Sequence, residues 1–165
     1  MSKWLLPILF ICCAVMGCKK NTGDLEAYKA QAAIDDKIVR DFIAANGLTG
    51  IAKKTADTSG VYYIVIQPGS GNDLFTSSTQ VAVGDTGKLL STGKVFYQTN
   101  EFHPAYTIGQ MILGWQLGLP KIKKGGIVRL LIPSRYAYGK YAQKDYDLPA
   151  NAILDFDIKI YDITN

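Results

Sequence analysis

The chain opens with an apolar run, Trp4 to Gly17, behind a single lysine, Lys3. The run falls short of the roughly 20 residues that a membrane-spanning helix needs. It has the proportions of a secretory signal peptide instead. Lys19 to Asp24 is polar and holds Gly23, so it reads as a tether. From Leu25 to Asn46 the apolar positions take a helical period. Ile34, Ile38 and Phe42 are spaced by four, and Leu25 and Tyr28 sit one turn apart. Asp35, Asp36, Lys37, Arg40 and Asp41 fill the other face, and Asn46-Gly47 supplies a stop. Such a helix needs somewhere to dock its stripe, either on the same chain or on a second copy.

Ile51 to Ser59 is a polar connection, and from Gly60 the pattern changes to strands and turns. Val61 to Gln67 is β-branched and aromatic and ends at Pro68-Gly69. Thr79 to Leu90 alternates, with Val81, Val83 and Leu89 on one face. Gly109 to Leu119 is the one helix-like stretch of this half, and it is short. Ile127 to Ile132 predicts another strand. The last strand alternates cleanly, with Ala152, Leu154, Phe156, Ile158 and Ile160 on one face and Asp155, Asp157 and Lys159 on the other. The pattern predicts an α+β fold, a half-wetted antiparallel sheet packed on one short helix.

Composition narrows the chemistry. The net charge of +4 is a weak signal for nucleic acid. His103 is the only histidine, which excludes any site needing two. The three cysteines fall at 12, 13 and 18, so the folded part has no disulfide, thiolate nucleophile or zinc cluster. No glycine-rich loop opens a helix to cradle a phosphate. Lys121, Lys123 and Lys124 read as a solvated turn, and Asp155 and Asp157 as the wet side of a strand rather than a catalytic pair. No metal and no cofactor are expected. What stands out is the aromatic load, 10 Tyr, 6 Phe and 2 Trp, part of it in Gly-Trp and Tyr-Ala-Tyr-Gly strings. An aromatic concavity with a few hydroxyls suits a neutral apolar ligand, and a proline in a peptide is one.

Two resemblances sharpen this. Val15-Met16-Gly17-Cys18 resembles the bacterial lipobox, which implies cleavage before Cys18 and acylation of its thiol. Lys19 after the cysteine favours the outer membrane over the inner, placing the protein in the cell envelope, lipid-anchored on the periplasmic or surface side. Further on, Thr86-Gly87-Lys88-Leu89-Leu90, Gly93-Lys94-Val95-Phe96, Gln110-Met111-Ile112-Leu113-Gly114-Trp115, Ile132-Pro133-Ser134 with Tyr136-Ala137-Tyr138-Gly139, and Leu148-Pro149-Ala150-Asn151-Ala152 follow in register. Together they resemble the FKBP-type peptidyl-prolyl isomerases over roughly 100 residues, and the layout is similar to the lipoprotein members of Bacteroidetes.

The resemblance implies a curved antiparallel sheet wrapped around one short helix and preceded by an N-terminal helix. Its boundaries are a signal peptide at 1–17, a lipidated tether at 18–24, a helix and linker at 25–56 and an isomerase domain at 57–165. It implies that Trp115 floors a pocket, that Phe96, Met111, Ile112, Tyr138, Leu148 and Phe156 line it, and that Tyr106 forms an aromatic wall. Tyr138, Ile112, Trp115, Phe96 and Phe156 are the expected catalytic set. Proline-containing polypeptides are the expected substrates, and a homodimer through the N-terminal helix is a further expectation.

Two positions depart from the family pattern. Asp85 stands where a tyrosine is expected, and Tyr97 where an aspartate is expected. One expectation is that the pair is exchanged, with the Tyr97 hydroxyl bonding Asp85. The other is that the site has decayed and Asp85 is wet, which leaves a binding or assembly module of weakened or no activity.

Overall fold

The computed structural model describes residues 22–165, Asp57 excepted. The signal-like run, Cys18 and residues 19–21 of the tether lie outside the described residues. Helix α1 covers Thr22–Ala45 and is followed by a two-residue strand β1, Lys53–Lys54. Then come β2 (Tyr62–Gln67), β3 (Gln80–Leu89), β4 (Val95–Gln98), β5 (Ala105–Thr107), the short helix α2 (Leu113–Gly118), β6 (Ile127–Ile132) and β7 (Leu154–Thr164). Two expected boundaries move. The helix begins inside the stretch read as tether, and β1 lies in the stretch read as a polar connection.

All strand pairs are antiparallel, in the order β1-β2-β6-β7-β3-β4, with β5 pairing β3 beyond β4. The longest pairing joins β3 to β7, from Gln80 opposite Thr164 to Leu89 opposite Leu154. Alternation turns Val81, Val83, Val128, Leu130, Ile132, Leu154, Phe156, Ile158 and Ile160 to one face, where they close over Trp115, Leu119 and Ile122. Helix α2 lies close against the sheet. A Cβ on Gly118 would stand 2.5 Å from Leu130 Cδ2, so only glycine allows this approach.

The opposite face is not simply wet. Helix α1 docks on it through Val39 and Ile43, which join Leu90, Leu131 and Ile153 in a second buried cluster flanked by Phe42, Leu48, Ala52 and Tyr62. Of the expected docking stripe, only Phe42 takes part. Ile34 and Ile38 are 53% and 42% exposed, as are Leu25 and Tyr28 to a similar degree, whereas Asp35 is only 1% exposed. The reason is polar. Asp35 accepts from the Ser134 N–H (2.9 Å) and hydroxyl (2.6 Å), and Asp36 pairs with Arg135 at 2.8 Å. These bonds rotate the helix so that carboxylates, which periodicity assigns to solvent, face the domain. Asp155 behaves likewise: it is buried on the helix-covered face and gripped bidentately by Arg129, with both contacts at 2.8 Å. Among the described residues, no helix is long and apolar enough to cross a membrane.

Candidate functional site

The concave side of the sheet leaves one aromatic hollow beside α2, a cavity of about 270 Å³. It is lined by Asp85, Phe96, Tyr97, Tyr106, Gln110, Met111, Ile112, Trp115, Tyr138, Tyr146 and Phe156. The volume is just under the roughly 300 Å³ at which drug-sized pockets begin, which suits one small ring and its flanking backbone.

Each wall has a local cause. Alternation along β7 turns Phe156 inward, and alternation along β4 and β5 presents Phe96 and Tyr106. The first turn of α2 raises Trp115 as the floor. It meets Tyr106 edge-on at 5.9 Å and Phe156 at 5.3 Å, the geometry that aromatic quadrupoles favour. Phe96 meets Phe156 edge-on at 5.6 Å. Gly87 lies beneath this pair, and a Cβ there would stand 2.6 Å from Phe96 Cζ and 2.7 Å from Phe156 Cε1. The glycine of the Thr-Gly string thus makes room for both rings.

The polar groups are few. Ile112 is the residue before α2, in an extended conformation, and its N–H donates to none of the described residues. The carbonyl of Met111 next to it accepts from Gln116 Nε2 at 2.8 Å, which fixes this segment. Tyr138 follows the turn Ser134–Tyr136, and burial raises the pKa of its hydroxyl, with Tyr146 adding to the effect. The Tyr97 and Tyr106 hydroxyls bond one another at 3.0 Å. Burial first, then that bond, pushes the Tyr106 hydroxyl well above the ordinary tyrosine range.

Asp85 is 4% exposed, and neither carboxylate oxygen has a hydrogen-bond partner among the described residues. Its main chain, by contrast, is pinned: Thr99 Oγ1 accepts from the Asp85 N–H at 2.9 Å, and the Thr99 N–H donates to the Asp85 carbonyl at 3.1 Å. Burial pushes the carboxyl up to about 6 from 3.8. The expected exchange is not formed: the Tyr97 hydroxyl bonds Tyr106, and neither Asp85 oxygen has a partner among the described residues. Nor is Asp85 exposed, as the other expectation had it. A bare buried carboxylate is the costly arrangement that the exchange was expected to avoid.

The structure brings together Tyr138, Ile112, Trp115, Phe96, Phe156, Tyr106, Met111, Asp85 and Tyr97, and it adds Gln110 and Tyr146. Leu148 is buried in the main core instead of lining the hollow. Tyr146, at the end of the turn Lys144–Tyr146, adds a further aromatic wall, meeting Phe96 edge-on at 6.0 Å and Tyr97 at 6.2 Å. No group of three or more His, Cys, Asp and Glu among the described residues is placed to hold a metal ion.

Comparison with known proteins places this geometry. FkpA of Buchnera aphidicola (subsp. Schizaphis graminum), a peptidyl-prolyl cis-trans isomerase of FKBP type, is 35% identical over 154 residues, 88% of this chain and 56% of that one. FkpA of Escherichia coli K12 is 37% identical over 118 residues, 67% of this chain and 40% of that one. The chain thus spans about half the length of the curated relatives it matches. Among solved structures, a peptidyl-prolyl cis-trans isomerase of Pseudomonas syringae pv. tomato superposes with a TM-score of 0.66 at 27% identity, covering 86% of this chain and 96% of that one. Escherichia coli FkpA gives 0.61 at 29% identity, covering 87% and 71%. Residues 72–161 match the family model of the FKBP-type peptidyl-prolyl cis-trans isomerases. With that span reaching from before Asp85 to beyond Phe156, the chain belongs to the FKBP-type peptidyl-prolyl cis-trans isomerase family.

Proposed function

We propose that the protein is a peptidyl-prolyl cis-trans isomerase acting on Xaa-Pro bonds of exported proteins. The observation that carries this reading is the aromatic hollow over Trp115 with the undonated Ile112 N–H at its rim. Rotation about an Xaa-Pro bond is slow because it breaks amide resonance, a barrier of about 18–20 kcal/mol. No covalent bond has to form. The planar amide is strongly dipolar, and the twisted amide, with its pyramidal nitrogen and less polarised carbonyl, is less so. A pocket of rings therefore disfavours the planar form relative to the twisted one. The Ile112 N–H and the Tyr138 hydroxyl hold the flanking peptide, so that the ring turns while the backbone is fixed. Each factor of ten requires about 1.4 kcal/mol.

A proline-peptide isomerisation assay on the full chain tests the reading, with Tyr138→Phe and Trp115→Ala as comparisons. A rate above the spontaneous one that falls in both variants supports it. The departures at Asp85 and Tyr97 favour a second reading, a protein-binding module that kept the fold and lost the rate. Peptide binding with no acceleration selects that alternative.

The location belongs to the same proposal. The apolar run and Val15-Met16-Gly17-Cys18 support a lipid anchor at Cys18 and an envelope site at the outer membrane. Incorporation of labelled fatty acid, lost on Cys18→Ala, is the expected result. The exposed stripe Leu25, Tyr28, Ile34 and Ile38, left uncovered when α1 docks on its own sheet, supports pairing with a second copy. Light scattering before and after Ile34→Lys with Ile38→Lys decides that point.

A further inference from the structure

Three features outside the assigned roles stand out. One is a groove of about 530 Å³ between the start of α1 and the loop 139–141. Another is a polar depression of about 220 Å³ on the reverse of the sheet, where His103 stacks on Tyr161 at 3.7 Å. Nothing in either points to a particular occupant. The third is Asp85, and it can be argued through.

We propose that Asp85 couples filling of the prolyl pocket to uptake of a proton, so that an uncharged proline segment binds the form in which the Asp85 carboxyl is protonated. The inference rests on the isomerase reading of the same pocket. Its basis is geometric. The carboxylate is buried in the wall, and neither oxygen has a protein partner. The Tyr97 and Tyr106 hydroxyls bond one another at 3.0 Å, and neither bonds an Asp85 oxygen.

The charged and titratable groups around Asp85 do not relieve it. Tyr97 from β4, Tyr106 from β5, Tyr138 and Tyr146 from the turn Lys144–Tyr146 share the pocket, and among its described lining residues there is no lysine or arginine. His103, Asp157 and Lys159 border the reverse depression, and Asp157 is already paired with Lys88 at 2.8 Å. An open hollow of about 270 Å³ admits solvent to its wall, since a water occupies about 30 Å³. A pyrrolidine ring displaces that solvent, and the ionised carboxylate, whose oxygens are already out of direct contact with it, loses the polarisation that water in the hollow supplies across the wall. Burial alone holds the carboxyl at about 6 in the open pocket, and filling the pocket raises it further.

The sign follows from linkage. A group whose pKa is higher in the complex favours binding at acid pH. Affinity is then highest below the free pKa, falls tenfold per pH unit above it, and levels off above the bound value. With the free value at about 6, binding at pH 7 is weaker than at pH 5 by up to about tenfold, and up to about 0.9 of a proton is taken up at pH 7, the limits being reached when the bound value lies well above 7.

The test is calorimetric titration of the full chain with an end-blocked Ala-Leu-Pro-Phe tetrapeptide, which has no ionising group. It is run at pH 5, 6 and 7 in pairs of buffers of different ionisation enthalpy. Proton uptake and a loss of affinity from pH 5 to pH 7 are expected in the natural chain and in His103→Gln. In Asp85→Asn the affinity is expected to be flat with pH and the uptake absent. Peptide binding with no proton uptake at pH 7 overturns this inference and leaves the isomerase reading intact. Uptake that persists in Asp85→Asn, or that disappears in His103→Gln, also overturns it. Failure of the peptide to bind at any of the three pH values overturns both.

Discussion

Asp35→Ala removes the clamp between the N-terminal helix and the sheet. The carboxylate accepts two bonds from Ser134, at 2.9 Å from the main-chain N–H and 2.6 Å from the hydroxyl, and a third from Gln31 Nε2 at 2.7 Å. Ser134 is itself fully buried. In the variant its N–H loses the only acceptor found for it, and a buried donor left unmade costs about 1–3 kcal/mol. The hydroxyl recovers part of its loss by rotating to another acceptor. The pair of Arg135 and Asp36 at 2.8 Å stays in place and limits the opening. The net expectation is a loss of about 3 kcal/mol. For a domain of this size each kcal/mol lowers Tm by about 2–4 °C, so scanning calorimetry should show a fall of about 6–12 °C if helix and sheet melt together. If α1 undocks by itself, the same loss appears as faster hydrogen exchange along Thr22–Ala45 with the sheet amides unchanged. Asp35→Asn, which keeps one acceptor oxygen, should fall between the natural chain and the alanine variant. A Tm within about 2 °C of the natural chain, together with undiminished protection of α1, would refute the clamp.

Asp85→Asn should alter stability in a pH-dependent way. Because burial raises the folded carboxyl to about 6 from 3.8, the folded state binds more protons than the unfolded one between those values. The natural chain is therefore favoured below about pH 4 and loses that advantage as the pH rises through about 6. Urea melts should show the variant gaining about 3 kcal/mol on the natural chain between pH 4 and pH 8; a pH-independent difference contradicts this. Trp115→Ala removes the pocket floor and its two edge-on contacts, and should cost about 3–5 kcal/mol in the same melts. Trp115→Phe should stay folded and lose isomerase rate, which separates the floor's chemistry from its packing. Arg129→Ala leaves Asp155 buried and alone, with an expected cost of about 3 kcal/mol, and the double variant Arg129→Leu with Asp155→Leu should recover most of it.

The sheet was legible because alternation reports burial directly. Leu154, Phe156, Ile158 and Ile160 face the core as the period of two requires. The pocket was legible through the resemblance of its glycine, tryptophan and tyrosine strings to a known family. What failed was the reading of Asp35 and Asp155 as solvent markers, although Asp41 is exposed as expected. Asp35 and Asp155 are inside because Ser134 and Arg129, 99 and 26 residues away along the chain, satisfy them. No local window contains both partners of such a bond, so hydropathy assigned the wrong face to α1. The exchange proposed for Asp85 and Tyr97 failed for a similar reason. Tyr97 had a nearer hydroxyl, Tyr106, on β5, whose position depends on how β4 and β5 share one edge of β3. Leu148 and Tyr146 lie two residues apart, and which of them reaches the hollow depends on the turn Lys144–Tyr146 rather than on either residue type.

The strand formed latest along the sequence, β7, lies in the middle of the sheet, flanked by β6 and β3. The wall carrying Asp85 and the wall carrying Phe156 become neighbours only when that strand slots in between. During synthesis, a nascent chain stopped between Ile132 and Leu154 carries the residues of α2, β4, β5 and β6 but not the strand that joins the two walls of the hollow. On the isomerase reading proposed above, an unfinished copy therefore has no prolyl pocket, and proteolytic loss of that one segment removes it whole rather than by degrees.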